Sequence, residues 1–155
     1  MENPTIDEFD LRILRALSRD GRMSIHALSV ESRLSPTPVA RRLKRLESSG
    51  IVTGFAALID EEKLGFGVSV FVSVRLDRQI DEALAVFEAA IETLPEVVDC
   101  WLMTGNRDYL LRVVTRSMRE FEIFLVQQLT RIKVVAAIES SIPLRRVKAG
   151  RSRML

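Results

Sequence analysis

The spacing of apolar positions changes period along the chain. Between residues 7 and 50 they recur at intervals of three and four: Phe9, Ile13, Leu14 and Leu17, then Ile25, Ala27 and Leu28, then Val39, Leu43 and Leu46. That period predicts three short helices. Asp7 and Glu8 suit the positive N-terminal end of the first, which Asp20-Gly21-Arg22 stops. Ser24 is a good N-cap for the second. Ser35-Pro36-Thr37-Pro38 opens the third, with Ser35 as N-cap and Pro36 in the first turn, where a missing N–H loses no helical bond. This helix is expected to run to Ser49 and to end at Gly50. Three helices with a tight connection between the last two make a helix-turn-helix candidate.

Beyond Gly54 the period shifts towards two. The run FAALID, ending at Asp60, reads as a linking strand. Val68, Val70, Val72, Val74 and Leu76 then alternate with Ser69, Phe71, Ser73 and Arg75, a strand pattern. Helical spacing returns in Ile80, Ala83, Leu84, Phe87, Ala90, Ile91 and Leu94, closed by Pro95. Val97 to Thr104 and Tyr109 to Thr115 read as strands joined by Gly105-Asn106-Arg107-Asp108. Ser117 caps a further helix with Met118, Phe121, Leu125 and Leu129 inward, and Val134 to Ile142 is a last strand. The order is βαββαβ. The predicted fold is therefore α+β: a three-helix helix-turn-helix domain (1–53), a linker strand and hinge (54–66), and a ferredoxin-like βαββαβ domain with a basic tail (67–155). Two helices cover one face of such a sheet and leave the other bare, with Phe71 and Trp101 among its candidates. An apolar face of that size predicts self-association, at least to a homodimer, which suits a helix-turn-helix reading two DNA half-sites.

Composition narrows the function. The 155 residues are 47% apolar and 28% charged, a balance suited to a soluble globular protein. One histidine (His26) and one cysteine (Cys100) are too few for a His/Cys metal centre, and Cys100 reads as a small core residue. The acidic start MENPTIDEFD lacks a signal peptide's apolar core, and no run approaches the roughly 18 apolar residues of a membrane helix; the expectation is a cytoplasmic protein with no membrane partner, no metal and no cofactor. No Walker A, dinucleotide fingerprint or nucleophile elbow is present, so catalysis is not expected. Net charge is +2 over residues 1–55, −5 over 56–143 and +5 over 144–155. The acidic middle and the missing RNP1 pattern argue against RNA binding by the sheet.

Double-stranded DNA is the partner that the third helix predicts. From Ser35 to Leu46 it carries four cations and no acid. At 100° per residue Val39, Leu43 and Leu46 form one apolar stripe, and Thr37, Arg41, Lys44 and Ser48 project opposite, with Arg45 on a flank. Arg42 lies nearer the core edge. A merely solvated face would intersperse glutamates, and Glu47 alone appears, late. The candidate DNA-binding residues are thus Ser35, Thr37, Pro38, Arg41, Arg42, Lys44, Arg45 and Ser48. Thr37, Pro38 and Arg41 are expected at base edges, and Arg42, Lys44 and Arg45 at phosphates. Two other readings stay open: a metabolite-sensing subunit of a protein complex, and a ligand-independent architectural DNA-binding protein.

Four segments, DEFDLRILRALSRDGRMS, LSPTPVARRLKRLESSGIVTGFAALID, GNRDYLLRV and IPLRRVK, lie in an order and spacing that resembles the Lrp/AsnC (feast-famine) transcription regulators of bacteria and archaea. The resemblance implies a ligand-sensing role for the βαββαβ domain, dimers that assemble further, often to octamers, and amino acids bound between C-terminal domains. On it, the candidate effector site is Met103, Thr104, Gly105, Asn106, Arg107, Asp108 and Tyr109, closed by Val134 and Ala136. Asp108 is expected to accept from the ligand ammonium, Gly105, Asn106 and Arg107 to meet its carboxylate, and Met103 and Tyr109 to line its apolar part. An apolar or medium-sized amino acid suits an acidic domain best. Gly-Asn-Arg-Asp also suits a plain hairpin turn. The chain departs from the pattern at Ile132-Lys133-Val134-Val135, where Leu-Pro-Gly-Val is common, and at Ile138-Glu139-Ser140, where Thr-x-Thr is common. The tail from Arg145 to Arg153 is read as a phosphate contact, a contact to an acidic neighbouring subunit, or a frayed terminus.

Overall fold

Each predicted helix forms where a cap and an apolar stripe coincide. In a computed structural model, which describes residues 5–148, α1 spans Glu8–Arg19, α2 Ile25–Ser32 and α3 Pro36–Ser48. Asp7 and Asp10 close a reciprocal capping box on α1, at 2.9 and 3.1 Å. Ser24 caps α2 by accepting from the Ala27 N–H at 3.1 Å. Ser35 is the N-cap of α3 with Pro36 at the first position, although its hydroxyl makes no capping bond. Ile13, Ala16, Leu28, Val39 and Leu46, at no measurable exposure, form the core that the stripes meet in. Truncating one of its leucines to alanine costs about 2–5 kcal/mol.

The chain divides into two compact units, the first ending at Leu58 and the second comprising Ile59–Val147. In the second, β1 (Val68–Leu76), α4 (Asp81–Ile91), β2 (Val97–Leu102), β3 (Tyr109–Thr115), α5 (Met118–Gln127) and β4 (Val135–Ser141) follow the expected βαββαβ order. The sheet is antiparallel, ordered β2-β3-β1-β4. Alternation does the sorting: Val70, Val72, Val74, Tyr109, Leu111 and Val113 all point to one face, where Ala83, Phe87 and Ile91 of α4 and Phe121 and Phe124 of α5 cover them. On α5 the inward residues are Phe121 and Phe124. Met118, expected inward, is exposed at the first position of α5.

Three expectations are corrected. No strand forms over residues 54–60: a strand needs a partner for its backbone groups, and the described residues of one chain provide none there. Phe55, Leu58 and Ile59 are left exposed. Cys100, expected in the core, is exposed on the edge strand β2; partial burial and then the nearby Glu88 carboxylate push its thiol pKa up. The open sheet face is less apolar than expected. Across it run the rows Trp101–Leu110–Ser73–Glu139 and Asp99–Arg112–Phe71–Ser141. Arg112 donates to Asp99 at 2.9 Å and, through both terminal nitrogens, to Glu61 at 3.0 and 3.1 Å. The part of the basic tail beyond Lys148 lies outside the described residues.

Candidate DNA-binding surface and ligand-binding turn

Helix α3 presents its two sides as its sequence dictates. Val39 and Leu46 are buried and Leu43 is half-buried, while Ser35, Thr37, Arg41, Lys44 and Ser48 are exposed and Pro38 is half-buried at the N-terminal turn. Arg33 closes α2 in the left-handed conformation (φ 59°), which sets the short turn into α3. Among the described residues, neither Arg41 nor Lys44 has an ion-pair partner.

Arg42 and Arg45 are placed differently from expectation. Asp10, fully buried, lies between them: its Oδ1 accepts from Arg42 Nη1 at 2.9 Å and its Oδ2 from Arg45 Nη2. The same Arg42 nitrogen donates to Asp7 at 2.6 Å, and the guanidinium carbon sits 5.5 Å from the Phe9 ring centroid. The backbone N–H of Asp10 and then the Arg42 guanidinium hold the Asp7 carboxyl below its ordinary value. Arg42 is therefore engaged by carboxylates of its own chain in this structure. It fastens α3 to the N-terminus of α1, because its position at the edge of the apolar stripe carries it towards the acidic first turn of that helix. Arg45, about half exposed, keeps its other nitrogens towards solvent.

The loop from Met103 to Asp108 is a turn with an inward anchor. Gly105 adopts a φ of +102°, which glycine tolerates and side chains resist. The Met103 N–H donates to the Asp108 carbonyl at 2.8 Å and closes it. Met103, Thr104, Gly105 and Asn106 are exposed. Asp108 is buried, and both carboxylate oxygens are engaged: Oδ2 accepts from the Leu76 N–H at 2.7 Å and Oδ1 from Gln79 Nε2 at 2.5 Å. These bonds tie the turn, where Asp108 was expected to accept from a ligand ammonium, to Leu76 at the end of β1 and to Gln79 beyond it. Tyr109, expected to line a pocket, is a core residue. Its ring lies 4.5 Å from that of Phe87, and its hydroxyl donates to Glu88 at 2.7 Å. Burial, then that bond, push the phenol well above its ordinary pKa. Arg107, expected to meet a carboxylate, pairs with Glu139 of β4. Val134 is half-buried against the core and its carbonyl accepts from the Asp77 N–H at 2.9 Å; Ala136 is exposed on β4. β1 lies between β3 and β4, and its last residue links the two places: Leu76 donates to Asp108 on one side and pairs with Val135 on the other.

These two arrangements match known domains in the same order. Residues 6–53 match the family model of a winged helix-turn-helix DNA-binding domain, and residues 69–153 that of the Lrp/AsnC ligand-binding domain. The chain belongs to the Lrp/AsnC family of transcriptional regulators. It is 45% identical over 142 residues to the Bkd operon transcriptional regulator of Pseudomonas aeruginosa, covering 92% of this chain and 93% of that one. It is 38% identical over 143 residues to the proline dehydrogenase transcriptional activator of Rhizobium radiobacter, 92% of each chain. Among solved structures, a Neisseria meningitidis transcriptional regulator in complex with L-methionine superposes with a TM-score of 0.91 at 36% identity, covering 97% of this chain and 96% of that one. Escherichia coli AsnC superposes with a TM-score of 0.84 at 25% identity, over 94% and 96%. As an Lrp/AsnC protein the chain is a DNA-binding transcriptional regulator with a ligand-binding domain, and not an enzyme. Sequence reasoning missed Asp7, Asp10, Gln79 and Glu139 as partners of its candidate site residues; all but Gln79 are acids opposite arginines it had singled out, but far away in sequence.

Proposed function

We propose that this regulator binds double-stranded DNA in the cytoplasm as a homodimer, with α3 in the major groove of each half-site. Ser35, Thr37, Pro38 and Arg41 approach base edges, Lys44 and Ser48 contact phosphates, and Arg45 adds its exposed edge. Arg42 serves by holding α3 against α1. The observation that carries this reading is the division of the α3 cations: Arg41 and Lys44 face solvent with no ion-pair partner among the described residues, while Arg42 is bound by two carboxylates. Dimerisation uses the open sheet face around Trp101, Leu110 and Phe71, and pairing of residues 54–60 with their copy gives that segment the strand partner it lacks. Higher assembly, up to the octamer that the resemblance implies, builds on such dimers.

The effector in this reading is an apolar or medium-sized amino acid, its carboxylate taken by the exposed backbone N–H groups of Gly105 and Asn106. Met103 and Thr104 flank it, and a neighbouring copy completes the site. A relative 36% identical to this chain has been solved with L-methionine, which fits a ligand of that class. Asp108 and Tyr109 shape the turn from beneath. Gel-shift titration against genomic promoter fragments, repeated with each of the twenty amino acids, tests the whole: a discrete retarded band whose midpoint moves with an apolar amino acid is expected. Uniform retardation of all fragments, indifferent to amino acids, would instead make this an architectural DNA-binding protein.

A further inference from the structure

The second unit has a cleft that lies apart from the 103–108 turn. It measures about 430 Å³ and is lined by Val86, Ala90, Thr93 and Leu94 from α4 and its C-terminal extension, Gln128 and Arg131 around the turn after α5, and Ile132 and Lys133 before β4. Such a volume is in the range of small-ligand sites.

Four of the lining residues are apolar, and their places are fixed. Leu94 and Ile132 pack against the core, and their backbone N–H groups donate to the Ile91 and Leu129 carbonyls at 3.0 and 3.3 Å. The neutral polar residues are already engaged. The Thr93 hydroxyl donates to the Ala90 carbonyl at 2.8 Å, and the Gln128 amide to Glu96 at 3.2 Å. The donors left at the cleft belong to Arg131 and Lys133, both exposed and neither with an ion-pair partner among the described residues. No acid is among the lining residues, but behind Gln128 the Glu96 carboxylate accepts from its amide through Oε1 and keeps a buried Oε2 without a partner.

An apolar floor with two exposed cations that have no ion-pair partner among the described residues selects a particular chemistry. A carboxylate meets charge-assisted donors, and an alkyl body meets Val86, Ala90, Leu94 and Ile132. A lone ammonium on an alkyl chain meets the two cations at the rim instead of a counter-charge. We propose that this cleft is a second ligand site, specific for a short apolar monocarboxylate.

The test is calorimetric titration of the full chain with hexanoate, hexylamine and 1-hexanol, on wild type and on the double variant Arg131→Gln/Lys133→Gln. Both substitutions are on exposed side chains outside the candidate DNA-binding surface, and gel shift checks that DNA binding is intact. Saturable hexanoate binding in the millimolar range or tighter is expected, with hexanol weaker and hexylamine absent. The double variant should lose roughly tenfold or more in hexanoate affinity, as befits loss of charge-assisted hydrogen bonds. Val86→Glu, at a half-exposed position, should weaken hexanoate too. Equal binding of hexylamine, unchanged affinity in the double variant, or no hexanoate binding overturns the proposal. A change in oligomer size of the double variant, without an effect on hexanoate, assigns the cleft to contact between copies.

Discussion

The two functional regions of this regulator handle their polar residues in opposite ways. On α3 the residues that face solvent and those that hold the helix alternate along one surface: Arg41 and Lys44 have no ion-pair partner among the described residues, while Arg42 is held by Asp7 and Asp10. In the turn of the second unit the division follows depth: Met103 to Asn106 are exposed, and Asp108 and Tyr109 are buried beneath them. In the proposed reading α3 must be held in one orientation to read DNA, and its anchor Arg42 sits one residue from the proposed contact Arg41. The turn proposed to take the ligand needs a shaped backbone, which the buried Asp108 below it helps to fix. In both places a charged or polar residue inside a functional motif serves the scaffold when its partners lie inside the same chain.

The comparison can be broken first at its deepest ion pair. Asp10→Ala removes a fully buried carboxylate shared by two guanidiniums and leaves Arg42 partly desolvated, which should cost the first unit about 3–5 kcal/mol. Urea unfolding followed by far-ultraviolet circular dichroism measures it. DNA affinity should fall in parallel although Asp10 faces away from the helix surface offered to DNA. A loss of DNA binding with unchanged stability would make Asp10 part of the interface instead.

Asp108→Ala makes the corresponding cut in the second unit. It strands the Leu76 N–H, and the expected cost is about 1–3 kcal/mol. Calorimetric titration with the effector amino acid then sharpens the contrast: an anchoring Asp108 loosens the turn and weakens binding in proportion to the lost order, and Asp108→Asn, which keeps one acceptor for Leu76, recovers part of both. If stability were untouched while binding vanished, Asp108 would be a direct ligand group.

The smallest effect is expected at Asp7, whose carboxyl is exposed and pairs with Arg42 at the surface. Its folded pKa lies below the ordinary value of 3.8, so the stability it contributes is complete above that pH. That contribution is lost as pH falls from 3.8 through the lower folded value. An acid titration of thermal stability should therefore show a first-unit limb that flattens in Asp7→Ala, with little change near neutral pH. A limb unaffected by the substitution would place the acid sensitivity elsewhere.

How much of this was legible in the sequence follows from the range of the contacts. Periodicity acts over a few residues, so Val68–Leu76 reads as a strand and Pro36 as the opening of α3. The same alternation that puts Leu111 and Val113 inward puts Tyr109 there too, so its core position was readable from β3 once the strand was drawn. Asp108 was not readable: its partners Leu76 and Gln79 lie 32 and 29 positions away, and no local pattern links them. Asp7 and Asp10 meet Arg42 across 35 and 32 positions for the same reason. FAALID has a strand's composition without a strand's partner, and pairing is a property of the assembly rather than of the segment.

The division of the α3 cations is tested most directly by the salt dependence of specific DNA affinity in Lys44→Ala and Arg42→Gln, each measured where circular dichroism shows the first unit folded. A free lysine on a phosphate contributes nearly one released counterion, so Lys44→Ala should flatten the slope of log affinity against log salt by about 0.9 per site. Arg42→Gln should lower stability and leave that slope as in wild type. A slope that flattened as much in Arg42→Gln as in Lys44→Ala would show that Arg42 leaves its carboxylates for DNA, and would contradict the account.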